Sequence, residues 1–170
     1  MKFSMKLLPP LAAELNPSFG LEDQAPTEIR ELLFVGCGLL DQNQYQFVVS
    51  GFDVTPWPTD VRYDLHLVLE QLPTTLSRVR RGQAATLDFF GQGLERIVDL
   101  APLPDSMYEL RCRSGMSWHP TFDKETRRGE DIVDDMEQLS EAFADGLRKV
   151  SPELRHSQAL VDWIALTAAK

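Results

Sequence analysis

A loop in the C-terminal half of the chain carries the residues best suited to small-molecule chemistry. Trp118 and His119 are adjacent, and Asp123 follows a few residues later. A histidine can serve as a general base, and an aromatic ring can form one wall of a ligand pocket. Trp57, in a proline-rich corner, is a further candidate for this pocket. No serine or cysteine nucleophile motif accompanies the loop, so the alternative is that Trp118 covers the core.

A second pair with chemical potential is His66 and Glu70, which are four residues apart on a predicted helix. Both could reach one metal ion, but no third ligand is apparent and the HExxH order is missing. We therefore predict no metal site and no cofactor. Cys37 and Cys112 lack CxxC spacing, which favours small buried side chains. A disulfide between them stays open if their strands lie side by side.

The strongest charge feature is a run of acidic residues near the C-terminal end. The chain has a net formal charge of −9, and residues 130–145 contain seven carboxylates without a lysine or arginine. Five of them recur at steps of three or four residues, which places them on one face of a helix. We call these five the acidic stripe: Glu130, Asp134, Glu137, Glu141 and Asp145.

The acidic stripe allows two interpretations. It can be an ordinary solvated face, because charged residues usually cover the outer side of a surface helix. However, like charges at this spacing repel one another, and the run supplies no basic residue to compensate them. A surface that keeps such repulsion can attract a cationic partner and speed its association.

The N-terminal third supplies the first elements that would position these groups. Residues 3–7 alternate apolar and polar side chains, as a half-buried strand does. Residues 9–29 are rich in proline and polar side chains, and they predict an irregular arm. Two strand-like runs follow, Leu32–Leu40 and Tyr45–Ser50, and the short polar connection between them predicts a hairpin. Gly36 and Gly38 fall on one face of the first run and indicate a bulge or close packing against a helix.

The middle of the chain predicts a long helix. Thr59 is the expected N-cap, and Gly82 the expected stop. An apolar stripe at helical spacing supports it: Val61, Leu65, Val68, Leu72, Leu76 and Val79. Pro73 should kink or divide this helix. Tyr63 and Leu67 lie off the stripe, so this side is either covered by the arm or forms an interface.

Three short alternating runs, within 87–90, 94–100 and 108–113, then predict an antiparallel meander with one wet face. A second helix carries the acidic stripe, and Ser151-Pro152 opens a last helical segment. The expected fold is α+β: an antiparallel sheet of about five to six strands, with helices packed on one face. We expect residues 1–170 to form a single domain.

Composition narrows the classes of partner and compartment. An acidic balance disfavours nucleic acid, whose phosphates require lysine and arginine, and it disfavours an anionic membrane surface. No apolar run approaches the length needed to cross a bilayer. Pro9-Pro10 interrupts the apolar N-terminal patch before it resembles a signal peptide, so we predict a cytoplasmic protein. We expect a monomer or a weak homodimer.

Several segments resemble a group of small uncharacterised bacterial proteins that have a helix, a three-strand meander and C-terminal helices. The matching segments are 64–73 (DLHLVLEQLP), 87–96 (LDFFGQGLER), 118–120 (WHP) and 151–154 (SPEL). This resemblance covers about Glu31 to the C-terminus and implies no activity. In size, acidity and lack of a catalytic motif, the chain is similar to bacterial immunity proteins, which neutralise toxins by binding them.

The sequence thus leads to one principal hypothesis and two alternatives. The principal one is a non-enzymatic module whose acidic stripe binds a basic protein, as an immunity-type inhibitor binds a bacterial toxin. The first alternative is a small-ligand binder or an enzyme that uses the Trp118, His119 and Asp123 loop near Trp57. The second is an assembly role for the helix that bears Tyr63 and Leu67.

Overall fold

A computed structural model describes residues 2–11, 26–89, 95–115 and 120–168 of the chain. In these ranges the strands are β1 (Ser4–Leu8), β2 (Gln46–Ser50), β3 (Ala85–Phe89), β4 (Arg96–Pro102), β5 (Met107–Ser114) and β6 (Lys124–Arg128). The α-helices are α1 (Ile29–Gln42), α2 (His66–Arg80), α3 (Gly129–Val150) and α4 (Gln158–Ala168). A π-helical turn (Val61–Leu65) precedes α2, and a 3₁₀ turn (Pro152–His156) joins α3 to α4.

The described strands form two antiparallel sheets, of two strands and of four. β1 pairs with β2, and β3, β4, β5 and β6 lie side by side in chain order. The α+β class is confirmed. The expectation of one sheet of five to six strands is wrong, because side chains rather than a backbone ladder join β1 to β6.

The junction between the sheets is made by two side chains of β6. The Glu125 carboxylate accepts hydrogen bonds from the backbone N–H of Phe3, at 2.5 Å, and from that of Phe52. Arg127 Nη1 donates to the carbonyl oxygen of Phe3 at 2.5 Å. Both the N–H and the carbonyl oxygen of Phe3, just before β1 begins, are therefore hydrogen-bonded to side chains of β6.

The region predicted as the first strand of a hairpin is helix α1, so the strand Leu32–Leu40 is wrong. Its buried positions follow helical rather than alternating spacing: Leu32, Leu33, Gly36, Cys37, Leu39 and Leu40. A Cβ on Gly36 would lie 2.9 Å from Leu147 Cδ2 and 3.0 Å from Phe143 Cζ, both on α3. This glycine therefore permits close packing against a helix, which was one of the two roles expected for it.

Helix α2 differs from its prediction at the start and at its proline. Asp60, not Thr59, is the N-cap, and its Oδ1 accepts from the backbone N–H of Tyr63 at 2.6 Å. The helix runs through Pro73 without division, because burial of the apolar stripe on both sides of the proline holds it together. Gly82, with φ +68°, follows its last turn as expected.

Strands β3, β4 and β5 have the predicted alternation, with one buried face and one solvated face. Strand β6 was not predicted. The buried face consists of Leu87, Phe89, Arg96, Val98, Leu100, Tyr108, Leu110 and Cys112. Helix α2 packs against this side, where Tyr108 Oη donates to the carbonyl oxygen of Val79. On the wet face, Asp99 of β4 accepts from Arg113 of β5 at 2.6 Å, and this bond is the main cause that lowers the Asp99 pKa.

Two predicted features lie partly or wholly outside the described residues. The turn at 91–93 falls there, as does most of the arm at 9–29. The described parts of the arm, 9–11 and 26–28, contain no helix or strand, and Ile29 already belongs to α1. In the described part of the chain, no helix is both long and apolar enough to cross a bilayer.

Candidate functional site

The acidic stripe lies along one side of helix α3, as its spacing predicted. The opposite side of α3 packs into the core through Ile132, Met136, Leu139, Phe143 and Leu147. Four stripe residues are exposed, and Glu137, in the middle, is partly buried. The solvent-facing side of α3 is therefore mainly a row of carboxylates.

Three of the five stripe residues have arginine partners, so the expectation that the stripe is uncompensated is wrong for them. The pairs are Arg128–Glu130 at 2.7 Å, Arg80–Glu137 at 2.6 Å and Arg148–Asp145 at 2.9 Å. All three arginines lie outside the acidic run, which is why a reading of residues 130–145 alone missed them. Asp134 and Glu141 have no cationic partner among the described residues.

These ion pairs differ in how strongly they belong to the fold. Arg128–Glu130 and Arg148–Asp145 are exposed, and pairs of that kind contribute roughly 0–1 kcal/mol. Arg80 is only 15% exposed, and its Nη2 also donates to the carbonyl oxygen of Thr167 at 3.0 Å. It connects α2 to both α3 and α4. Glu137 is therefore part of a structural junction, while the other four acids are exposed to solvent.

A groove of about 430 Å³ runs between α3 and α4 beside the stripe. The two helices are antiparallel, since Ser140 Oγ donates to Thr167 Oγ1 at 2.9 Å while the ring of Phe143 packs on that of Trp163 at 5.1 Å. The acids that line it are Glu137, Glu141 and Asp145, and the apolar residues are Ala144, Ile164 and Ala168. Ser140, Thr167 and Arg148, the cation that pairs with Asp145, complete the lining.

The N-terminal half of the stripe borders a second depression, of about 580 Å³. Glu130, Asp134 and Glu137 line one side of it, and the end of α2 and the β4–β5 turn line the other. Arg80 and Arg128 also face this depression, so its charge is more balanced. The two depressions thus follow one another along the stripe, and Glu137 lines both.

Of the residues proposed for the ligand pocket, Trp57 and Asp123 lie in the described structure. Trp57 is 2% exposed, and its ring packs against Phe3 and Phe89 while the guanidinium of Arg96 lies 4.6 Å from its centroid. Asp123 is exposed, and its backbone carbonyl accepts from Cys112 N at 2.9 Å. Trp118 and His119 lie outside the described residues, so a site on their loop stays a prediction.

The His66 and Glu70 pair forms a small surface network. Glu70 Oε1 lies 3.1 Å from Arg30 Nε and 3.4 Å from His66 Nε2, and the ring of Phe34 packs edge-on against that histidine. Within the described ranges, no three His, Cys, Asp or Glu side chains converge as metal ligands would. Tyr63 is exposed and Leu67 partly so, and an interface through them stays a hypothesis.

Both cysteines are buried and free, so the disulfide left open by the sequence is not formed. Burial raises the pKa of the Cys112 thiol to about 11, an effect that Arg96 partly opposes. Burial also raises the pKa of Cys37, and the charges of Asp60 and Asp41 add to it. Neither thiol is ionised at neutral pH, and neither has the environment of a nucleophile.

Two residues that define this surface were missed by sequence reasoning. Neither Arg80 nor Ile164 is among the site residues predicted above. The sequence did offer a signal for Arg80, because it directly follows Val79, the last residue of the α2 apolar stripe. A residue at the border of a buried stripe can reach the neighbouring helices. For Ile164 the sequence offers no such signal, because the groove exists only once α4 packs on α3.

Known proteins provide no further guide to this surface. The chain matches no protein-family model, no curated protein and no solved structure at a significant level. The resemblance to small bacterial proteins and the similarity to immunity proteins therefore stay hypotheses.

Proposed function

We propose that this protein is a non-enzymatic binding module whose α3 surface captures a basic protein, as an immunity-type inhibitor neutralises a bacterial toxin. The observation that carries this proposal is the solvent-facing row of carboxylates along α3. It includes two acids, Asp134 and Glu141, that have no cationic partner in the described part of the chain. Carboxylates without a cationic partner attract an incoming lysine or arginine, so this surface favours association with a basic protein.

The arginine partners refine this proposal and do not remove it. The pairs at Glu130 and Asp145 are exposed and weak, so the lysines or arginines of a partner can exchange with Arg128 and Arg148 at little cost. Glu137 is different, because it is held by the less exposed Arg80. The proposed binding acids are therefore Glu130, Asp134, Glu141 and Asp145, with Glu137 fixing the position of α3.

A rigid platform also favours binding by this helix. Its inner side is buried along almost its whole length, and Gly36 and Gly146 allow α1 to approach it closely. A surface that is ordered before binding loses little conformational entropy when a partner arrives. We propose that the protein acts in the cytoplasm, as a monomer or a weak homodimer.

Affinity capture followed by a neutralisation assay tests this function. The immobilised protein should retain a basic protein from a lysate of its source cells at low salt and release it at high salt, because screening weakens exposed charge pairs. The captured protein should then inhibit growth when expressed alone, and co-expression of this chain should restore growth. A retained protein that is acidic, or whose expression harms no cell, would contradict the immunity-type role.

A further inference from the structure

We infer that the groove between α3 and α4 is an anchor for an amphipathic basic helix of the partner. This inference rests on the proposed function, since it takes the partner to be basic, and it adds a location and a shape. Acidic residues on one wall and apolar residues on the other are the two features that such a helix requires.

The acidic wall matches the repeat of a helix. Beyond Glu137, which Arg80 holds, Glu141 and Asp145 follow on this wall at a step of four residues, which corresponds to about 6 Å along the axis. A partner helix lying along the groove would present lysines or arginines at the same step of four. Two successive cations could then meet Glu141 and Asp145, the second in exchange for the exposed Arg148.

The apolar wall is supplied by α4 and by one small residue of α3. Ile164 and Ala168 line the groove, and Val161 lies one turn before Ile164 on the same face of α4 and is 52% exposed. Ala144 lies in the floor, where its small side chain leaves room for a larger one. The groove extends from Glu137 to Arg148, about 16 Å at the helical rise, enough for two to three turns of a partner helix.

The two walls would contribute in different ways. Exposed charges mainly accelerate encounter and select the sign of the partner, whereas an apolar side chain enclosed in a pocket slows dissociation. The acidic stripe alone would bind many basic proteins equally. The groove would restrict binding to partners that place apolar residues beside their cations.

Two designed peptides of about 15 residues, labelled for fluorescence anisotropy, test the groove. Both have the same lysines and leucines. The ordered peptide has lysine at every fourth position beside a leucine face, and the shuffled peptide has no such face. We expect the ordered peptide to bind wild-type protein at least about tenfold more tightly than the shuffled one.

Ile164→Asp should remove this preference, and Leu166→Asp is the matched control. Leu166 is on the same helix, is 50% exposed and lies off the Val161–Ile164–Ala168 face. Each variant adds one negative charge, so electrostatics alone would strengthen binding of a basic peptide in both. Loss confined to Ile164→Asp therefore reports the apolar contact, provided that both variants melt like wild type.

Equal binding of the two peptides, no binding of the ordered one, or an unchanged preference in Ile164→Asp would overturn the inference. The groove could instead be occupied by a second copy of this chain, and sedimentation of wild type and Ile164→Asp tests this alternative. A dimer that dissociates only in the variant would assign the groove to the second copy. A different result tests the proposed function. If the acidic stripe binds basic partners but the groove is not their anchor, charge reversal at Asp134 and Glu141 still weakens binding of both peptides.

Discussion

Arg80 and Glu137 lie 57 residues apart in the chain, and their side chains meet at 2.6 Å between Nη2 and Oε1. The contact joins α2 to the middle of the acidic stripe, and Arg80 extends it to α4 through the carbonyl oxygen of Thr167. One carboxylate of the acidic stripe is thus committed to the fold. We therefore expect substitutions along this one helix to separate stability from the proposed binding.

Replacing Glu137 by alanine should lower the free energy of unfolding by about 1 kcal/mol relative to Glu141→Ala, because only the first change breaks a charged hydrogen bond to a partly buried arginine. The two variants sit one turn apart on α3 and change helix propensity equally. Urea denaturation provides the comparison. Equal stability of the two variants would show that the Arg80 contact is not part of the folding energy.

The glycines of α1 offer a second matched pair. Nothing lies within 4 Å of a Cβ placed on Gly38, so Gly38→Ala should stabilise the protein by about 0.5–1 kcal/mol through helix propensity. Gly36→Ala gains the same propensity but forces its methyl group against Leu147 and Phe143. We expect it to be at least about 1 kcal/mol less stable than Gly38→Ala. Equal gains in chemical denaturation would refute the close contact between α1 and α3.

The same glycines explain why α1 was predicted as a strand. Two glycines in a short segment lower helix propensity, and Phe34-Val35 favours strands, so local signals pointed away from a helix. The helical spacing of the buried residues was present in the sequence, but a short apolar run does not distinguish the two periods. Tertiary packing decided the outcome, because the missing side chain of Gly36 lets Leu147 and Phe143 of α3 pack against α1.

Glu125 should be essential for holding β1 to the larger sheet. Its removal in Glu125→Ala leaves the backbone N–H groups of Phe3 and Phe52 without their acceptor, at a cost of about 1–3 kcal/mol each if water does not enter. Hydrogen exchange of these two amides should accelerate. Glu109→Ala on the solvated face of β5 is the control and should leave both amides protected. Unchanged exchange in Glu125→Ala would exclude this role.

Strand β6 shows where sequence reasoning reaches its limit. Its residues, Lys-Glu-Thr-Arg-Arg, lack any apolar alternation, so nothing in their order predicts a strand. Glu125 and Arg127 are placed there to bind backbone across the junction, and that task is invisible without the fold. By contrast, β3, β4 and β5 and the outward face of α3 were predictable, since clear periodicity follows directly from one-sided burial.

Both cysteines should resist thiol reagents in the native protein. Burial raises the pKa of Cys112 to about 11 and that of Cys37 as well, so at pH 8 the thiols stay protonated, and both side chains are inaccessible. A colorimetric thiol assay at that pH should detect almost no reaction until urea unfolds the chain. Rapid labelling of one cysteine in the folded state would contradict its buried position.

The most direct test of the account is partner capture by three immobilised proteins at about 50 mM and about 500 mM salt. These are wild type, Asp134→Lys/Glu141→Lys, and a control, Glu31→Lys/Asp41→Lys, which reverses two exposed acids on α1 and changes the net charge equally. We predict that wild type and control retain the same basic protein at low salt and that the α3 variant loses it. Equal retention by all three, or equal loss in both variants, would contradict a binding site on the acidic stripe.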